Sequence, residues 1–496
     1  MSYLDKRANG VLMHISSLPG KFGIGTLGKN AYKFVDYLKS AKQTYWQILP
    51  ICPTSYGDSP YQSFSTFAGN PYFIDFEILE NEGFLSKEDY SDVNWGSTES
   101  YVDYGLLYVE RHKIFAKIQK KFEQNVPSDF NDFCCKNAFW LEDYSLFMAI
   151  KDAHGGISFS EWESDIKLRE PAAMKKWAKK ESGRIQYYKI LQYLFYKQWF
   201  NLKNYANQNG IKIIGDIPIY VAADSSDVWS SPKNFALDDK MQPIEVAGCP
   251  PDAFSADGQL WGNPVYNWDY MKEQNYDWWK KRISESLKIY DVIRIDHFRG
   301  FEAYYCIPFG SVNAKEGQWR PGPGNDLFKS IKNEFGDLNI IAEDLGFLTE
   351  GVHQLLRDVG FPGMKILQFA FDSREQSDYL PYKYTPNSVV YTGTHDNDTI
   401  LGWCKTANPD DVAFAKKFLR TDTDDGLRKE MMIAAMASIS NTSIICIQDL
   451  IGVGSEARTN IPSTVGNNWK WRATEDQLKP EIFDFLKYYT ELYGRV

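Results

Sequence analysis

The sequence predicts an α/β chain folded as a (β/α)8 (TIM) barrel with large, mainly helical insertions at the C-terminal face of the strands. Three observations carry that expectation. A short apolar, β-branched run ending in polar or acidic residues recurs eight times, stretches with helical apolar spacing separate the runs, and no dinucleotide-type glycine motif marks an open doubly wound sheet. The 496 residues also suffice for one barrel enlarged by insertions, because such barrels span roughly 200 to over 400 residues.

The runs, in order, are GVLMHIS (10–16), YWQILPI (45–51), IKIIGDIPIYV (211–221), DVIRIDHF (291–298), LNIIAEDLG (338–346), MKILQFAF (364–371), SVVYTGTHDN (388–397) and TSIICIQDL (442–450). Consecutive apolar residues without strict alternation suit parallel strands covered on both faces. Helical patterns lie between them, as at 27–41 and 269–290. The longest interval, roughly 160 residues between the second and third runs, holds amphipathic stretches at 137–152 and 183–208. Residues 225–268, rich in Asp, Pro, Gly and Trp, lack helical periodicity; they and 298–324 read as loops. We expect one catalytic domain over 1–496, with insertions at about 55–205, 225–268 and 299–325 forming a cleft, because the βα connections of such a barrel build its active site. No internal repeat, low-complexity tract or linker marks a second domain.

Composition narrows the function. Lys+Arg 55 against Asp+Glu 65 gives a net charge of −10, which suits neither nucleic acid nor an anionic membrane surface. A neutral substrate fits. The aromatic share is 16%, with 15 Trp, 31 Tyr and 31 Phe. A large core accounts for part of it, and platforms for the apolar faces of sugar rings account for the rest. Seven cysteines include no metal-type C-x-x-C. Cys134 and Cys135 are adjacent, and Cys52, Cys249, Cys306, Cys404 and Cys446 sit in apolar or motif-like stretches and read as buried free thiols. That pattern belongs to a reducing compartment. The N-terminal stretch lacks a signal-peptide core, and no run approaches the ~18 apolar residues of a membrane helix. A soluble, cytoplasmic protein is expected.

Acids end three of the runs: Asp296 in RIDH, Glu343 in AEDLG and Asp396 in THDND. If the runs are barrel strands, all three project over one mouth. Cleaving a glycosidic bond with retention needs two carboxyl groups about 5–5.5 Å apart, one nucleophile and one acid/base. A third orients sugar hydroxyls, and Arg294, two residues before Asp296, keeps that carboxylate ionised. One such acid alone is ordinarily a helix cap. Three together, two of them beside His, point to chemistry. Metal ligation competes as a reading, but no third His completes a ligand set.

The blocks RIDHFRGF, AEDLG and THDNDT resemble the catalytic blocks of the amylomaltases, within the α-amylase superfamily of retaining glucan-active barrels. The resemblance extends through GVLMHISSLPGKFGIGTLG, SYGDSPYQSFSTFAGNPYFID, GDIPIYVAADSSDVW, VAGCPPDAFSADGQLWGNPVYNW, GMKILQFAFD and RTNIPSTVGNNWKWR, in order along the chain. It implies a 4-α-glucanotransferase that moves α-1,4-glucan segments through a covalent glycosyl-enzyme. Asp296 would be the nucleophile, Glu343 the general acid/base, and Asp396 the carboxylate that holds donor-sugar hydroxyls. Arg294 would bridge to the nucleophile, while His395, Tyr61 and Asp216 would bind the donor glucose. Phe254 and Trp261 would pack on glucose rings, Asp252 and Asn263 would bond hydroxyls, and Asn460 and Pro462 would lie on the acceptor side. Position 463 is Ser where the family commonly has Gly, and position 253 is Ala where some relatives have an aromatic residue. The implied partners are maltooligosaccharides and α-1,4-glucans, with no nucleic acid, no membrane, no metal and no cofactor; the oligomeric state stays open. The competing readings are a retaining α-glucan hydrolase with the same acids, a metal-dependent barrel enzyme, and a catalytically silent glucan-binding protein.

Overall fold

The computed structural model describes residues 3–251, 256–346 and 348–496. Twelve strands occur among them: β1 (Ala8–Leu12), β2 (Tyr45–Gln47), β3 (Lys212–Pro218), β4 (Glu245–Cys249), β5 (Gln259–Pro264), β6 (Val292–Asp296), β7 (Ala303–Pro308), β8 (Gln318–Pro321), β9 (Ile340–Ala342), β10 (Gly363–Ile366), β11 (Ser388–Tyr391) and β12 (Thr442–Cys446). Eight close a barrel in the order β1-β12-β11-β10-β9-β6-β3-β2, and every pairing in it is parallel. Each of the eight apolar runs supplies one barrel strand, as buried parallel strands require. Close approach decides two positions on these strands. A Cβ at Gly10 would lie 2.5 Å from the Cβ of Tyr45, and one at Gly215 would lie 2.1 Å from the Tyr290 ring.

Arg495, fully buried, closes the base of the barrel. Its guanidinium donates to the carbonyls of Ala8, Met436, Ser438, Ser440 and Asn441 at 2.6–3.1 Å. The helix Pro480–Leu492 leads into it and packs on the helix Lys29–Ser40, where Phe483 stacks on Tyr37 with centroids 4.7 Å apart.

Between β2 and β3 the chain is helical, including Tyr104–Gln124, Ala138–Ala153, Pro171–Lys180 and Ser182–Gln208. The last of these is buried on several faces because it lies between the barrel and the other insertion helices, and its polar Gln192 and Gln198 find backbone partners inside. Gln192 brackets Gly69 at 2.7 and 2.9 Å, and Gln198 brackets Asp75 at 2.7 and 3.1 Å. These bonds tie the segment carrying Tyr61 to a rigid element.

Elsewhere the structure corrects the sequence reading. The stretches 225–268 and 298–324 are not simply loops, because β4, β5, β7 and β8 join into an antiparallel sheet in the order β5-β4-β7-β8. Pairs such as Glu245 with Pro308 link segments far apart in sequence, so no local pattern displays them; β8 is also exposed throughout. The expected helix at 269–290 divides into Trp268–Glu273 and Asp277–Ile289, because Asn275 and Tyr276 adopt left-handed backbone with φ of 52° and 56°. All seven cysteines are free, but only Cys306 and Cys446 are buried; Cys52, Cys249 and Cys404 are half-buried. No helix among the described residues is long and apolar enough to cross a membrane.

Candidate active site

Strand register brings the acids together. Asp216 on β3 sits beside Arg294 on β6, and Ile295 beside Ala342 on β9, so Asp296 and Glu343 follow as neighbours at the strand ends. Arg294 and Asp296, two apart on one strand, point to the same side. The guanidinium of Arg294 spans two carboxylates, with Nη1 2.6 Å from Oδ2 of Asp216 and Nη2 3.0 Å from Oδ1 of Asp296. The side chains of Asp216 and Arg294 are 0% and 4% exposed, whereas that of Asp296 is 31% exposed. A buried cation thus holds the reachable acid from below. Burial pushes the Asp216 carboxyl above the usual range, opposed first by Arg294. Tyr61 donates its hydroxyl to the same Asp216 oxygen at 2.7 Å and stacks on His395, with centroids 5.0 Å apart at 20°.

Glu343 lies just past β9. Its Oε2 accepts the backbone N–H of His297 at 2.6 Å, and its Oε1 accepts that of Leu345 at 2.8 Å. The first bond depends on His297 turning into left-handed backbone, φ 54° and ψ 48°, directly after Asp296. Burial, and after it the negative charge of Asp296, pushes the Glu343 carboxyl up to about 8, with Arg294 and the two N–H groups opposing. An acid so placed keeps its proton near neutrality. Burial also pushes His297 down to about 4 and His14 down to about 3, the latter helped by His395, so both rings stay neutral. His14 Nδ1 accepts from the Leu49 N–H at 3.2 Å, which leaves its proton on Nε2.

Asp396 sits on the loop after β11, which its own side chains and those of neighbouring segments brace. Asn397 accepts from the Thr394 N–H at 2.9 Å, Gln368 donates to the Asp398 carbonyl at 2.7 Å, and Thr399 caps the helix Ile400–Thr406. Buried Asp449 takes bonds from Thr392 Oγ1 and the Ile400 N–H, both at 2.8 Å. The Asp396 carboxylate, 45% exposed, has His395 Nε2 at 3.3 Å and Asn460 Nδ2 at 2.6 Å from its Oδ1.

Tyr61, Trp261, Asp296, His395, Asp396 and Trp469 line a cavity of about 260 Å³, joined by Asn263, Asn460 and Pro462. The ring of Trp261 stands edge-on to His297, centroids 4.8 Å apart at 87°. Asn263 borders the cavity but is buried, its amide bonded to the Val221 carbonyl at 2.8 Å and to Gln62 at 3.1 Å. It therefore fixes β5 to the end of β3, and its polar atoms are already engaged. Asp252 and Phe254 lie outside the described residues. Sequence reasoning did not single out Trp469, whose ring is 5.7 Å from those of both Tyr61 and His395, nor Gln62 or Arg458. The signal for Trp469 was present in the aromatic pair of NNWKWR; for the other two no local pattern exists.

The profile of a family described as 4-alpha-glucanotransferase matches residues 13–477. A Clostridium butyricum protein named 4-alpha-glucanotransferase is 49% identical over 485 residues, covering 97% of this chain and 100% of the relative. A protein of the same name from Streptococcus pneumoniae serotype 4 is 48% identical over 496 residues, covering 99% and 98%. The solved amylomaltase from Streptococcus agalactiae, in complex with acarbose, superposes with a TM-score of 0.96 at 46% identity, covering 99% of this chain and 100% of that one.

Proposed function

This chain belongs to the 4-alpha-glucanotransferase family, and from that premise we propose that Asp296, Glu343 and Asp396 carry the transfer of α-1,4-glucan segments in two displacements. The protein is a glucan-transferring enzyme of the amylomaltase type. In the first displacement an oxygen of Asp296 attacks the anomeric carbon of the donor sugar. The bond to the leaving 4-oxygen breaks as Glu343 gives that oxygen its proton. In the second, the Glu343 carboxylate takes the proton from the 4-hydroxyl of an acceptor sugar, whose oxygen attacks the same carbon and releases Asp296. Two inversions retain the α configuration. Neither step calls for a metal or organic cofactor.

The observation that carries this reading is the opposed setting of two neighbouring carboxyls. Asp296 is paired with the Arg294 guanidinium and reaches the cleft, whereas Glu343 is buried and pushed up to about 8. A nucleophile and an acid need those unlike environments. Asp396, with His395 and Tyr61, bounds the donor side and holds sugar hydroxyls as charge develops on the ring. Trp261 and Trp469 present apolar walls for rings, which favours a sugar over water as the second nucleophile. Asn460 and Pro462 belong to the acceptor side, and the resemblance to the amylomaltases assigns Asp252 and Phe254 to it as well. The reading includes a cytoplasmic enzyme of carbohydrate metabolism, supported by seven free cysteines.

Maltotriose incubated with the purified protein tests the reading. A ladder of longer maltooligosaccharides with glucose is expected from the native protein and none from Asp296→Ala. Normal laddering in that variant would remove Asp296 from its role, and maltose plus glucose alone would make the enzyme a hydrolase.

A further inference from the structure

After β12 the chain returns to the barrel mouth and grips the loop that carries Asp396. Arg458 donates through Nη2 to the backbone carbonyl of Asp396 at 2.5 Å and through Nε to the carbonyl of Asn460 at 2.9 Å. Asn460 in turn donates Nδ2 to Oδ1 of Asp396 at 2.6 Å, and its backbone N–H donates to the carbonyl of His395 at 3.0 Å. One guanidinium thus joins two segments 62 residues apart. Asp396 lies beyond the end of β11 with its side chain 45% exposed, so strand packing does not fix it. A loop carboxylate of this kind samples several rotamers unless other groups hold it, and catalysis depends on removing that freedom.

The gripping segment also reaches the cleft. Pro462 and Ser463 line it, the Trp469 N–H donates to the Thr459 carbonyl at 2.7 Å, and the Trp469 ring approaches Tyr61 and His395. We propose that Arg458 is a positioning residue for the transfer reaction, aiming Asp396 through the backbone while Asn460 sets the rotamer of its carboxylate. The lip of the cleft then governs the geometry of the donor side. This rests on the reading of Asp396 as the carboxylate that holds the donor sugar. Its consequence is specific: both displacements take place at the sugar that Asp396 holds, so losing the grip slows both and lowers kcat, while the glucose KM, which follows the ratio of the two steps, stays nearly unchanged.

The test uses full-length Arg458→Ala, Arg458→Lys, Asn460→Ala and Asp396→Ala with maltopentaose as donor and isotope-labelled glucose as acceptor, reading kcat and the KM for glucose. Arg458→Ala is expected to lower kcat by about 10- to 100-fold, the scale of a small misplacement at a reacting centre, with the glucose KM moving less than about twofold. Arg458→Lys, which keeps one charged donor, should recover most of kcat, and Asn460→Ala should lower it by about tenfold. Normal kcat in Arg458→Ala, or a raised glucose KM at normal kcat, overturns the proposal. If Arg458→Ala does not fold, normal kcat in Asn460→Ala overturns it equally. Near-normal turnover in Asp396→Ala overturns the role of Asp396 and the grip with it, whereas an inactive Asp396→Ala beside a fully active Arg458→Ala overturns the grip alone.

Discussion

Arg294 Nη2 lies 3.0 Å from Oδ1 of Asp296, the carboxylate two residues further along the same strand. The spacing of two places both side chains on one side of β6, and parallel register with β3 brings Asp216 to the other arm of the guanidinium at 2.6 Å. The cation has too little exposure to be satisfied by water. It is held by carboxylates, and in return it steadies the one that faces the cleft.

Removing the cation should therefore damage stability and turnover through different partners. Arg294→Met leaves Asp216 buried and unpaired, and breaking one side of such a pair costs about 3–5 kcal/mol. Adding Asp216→Asn removes the uncompensated charge. Urea unfolding of the double variant is expected to recover most of the lost stability, while maltotriose turnover stays low because Asp296 still lacks its cation.

Glu343 predicts a pH dependence with a definite sign. Its carboxyl, ordinarily near 4.5, is pushed up to about 8 in the folded chain by burial and by Asp296. Turnover should fall as pH rises through about 8, since the first displacement needs its proton. Folding follows the same linkage. The unfolded chain ionises this group first, so the native state is favoured below about 4.5 and loses that advantage as pH rises towards 8. Glu343→Gln should be more stable than the native protein at pH 8, by an amount on the order of a few kcal/mol, with the difference shrinking towards pH 5. Equal pH profiles of stability would contradict the assignment.

Trp261 stands edge-on to His297 at the cleft wall. Trp261→Ala should weaken acceptor binding by the worth of one aromatic contact, raising the glucose KM roughly tenfold. It should also increase the share of glycosyl-enzyme lost to water. Free reducing sugar released per transfer measures that share.

Arg495 bonds five carbonyl groups at the barrel base. Arg495→Met removes a donor from all five. The Asn441 carbonyl keeps the Ala8 N–H and the Ser438 carbonyl keeps Arg7, and each of the others left buried without a donor costs about 1–3 kcal/mol. The variant is expected to lose on the order of 3 kcal/mol or more in urea, while the kcat of its folded fraction stays at the native level, because the base is remote from the strand ends that carry the chemistry.

The legible parts of the molecule were those with a local signature. Each barrel strand is a short apolar run, because a strand covered on both faces admits little else. The acids were readable from their places at the ends of such runs, and their assignment to one mouth needed only the barrel. What escaped depends on partners distant in sequence. The sheet of β4, β5, β7 and β8 pairs residues across two insertions, and the bond from Arg458 to the Asp396 carbonyl has no spacing rule behind it. Asn263 shows a third kind of limit. Its residue type suits a sugar hydroxyl, but its amide is engaged with Val221 and Gln62, which only coordinates reveal. Ser463 adopts left-handed backbone, φ 62°, a conformation that Gly would adopt without strain.

The most direct test of the account is to trap the first covalent product. Maltosyl fluoride supplies a leaving group that needs no protonation, so Glu343→Gln should form the glycosyl-enzyme and then fail to pass it to an acceptor. Intact-mass analysis is expected to show one added maltosyl group, and peptide mapping should place it on Asp296. Fluoride release with no adduct, or an adduct on Asp216 or Asp396, would contradict the account.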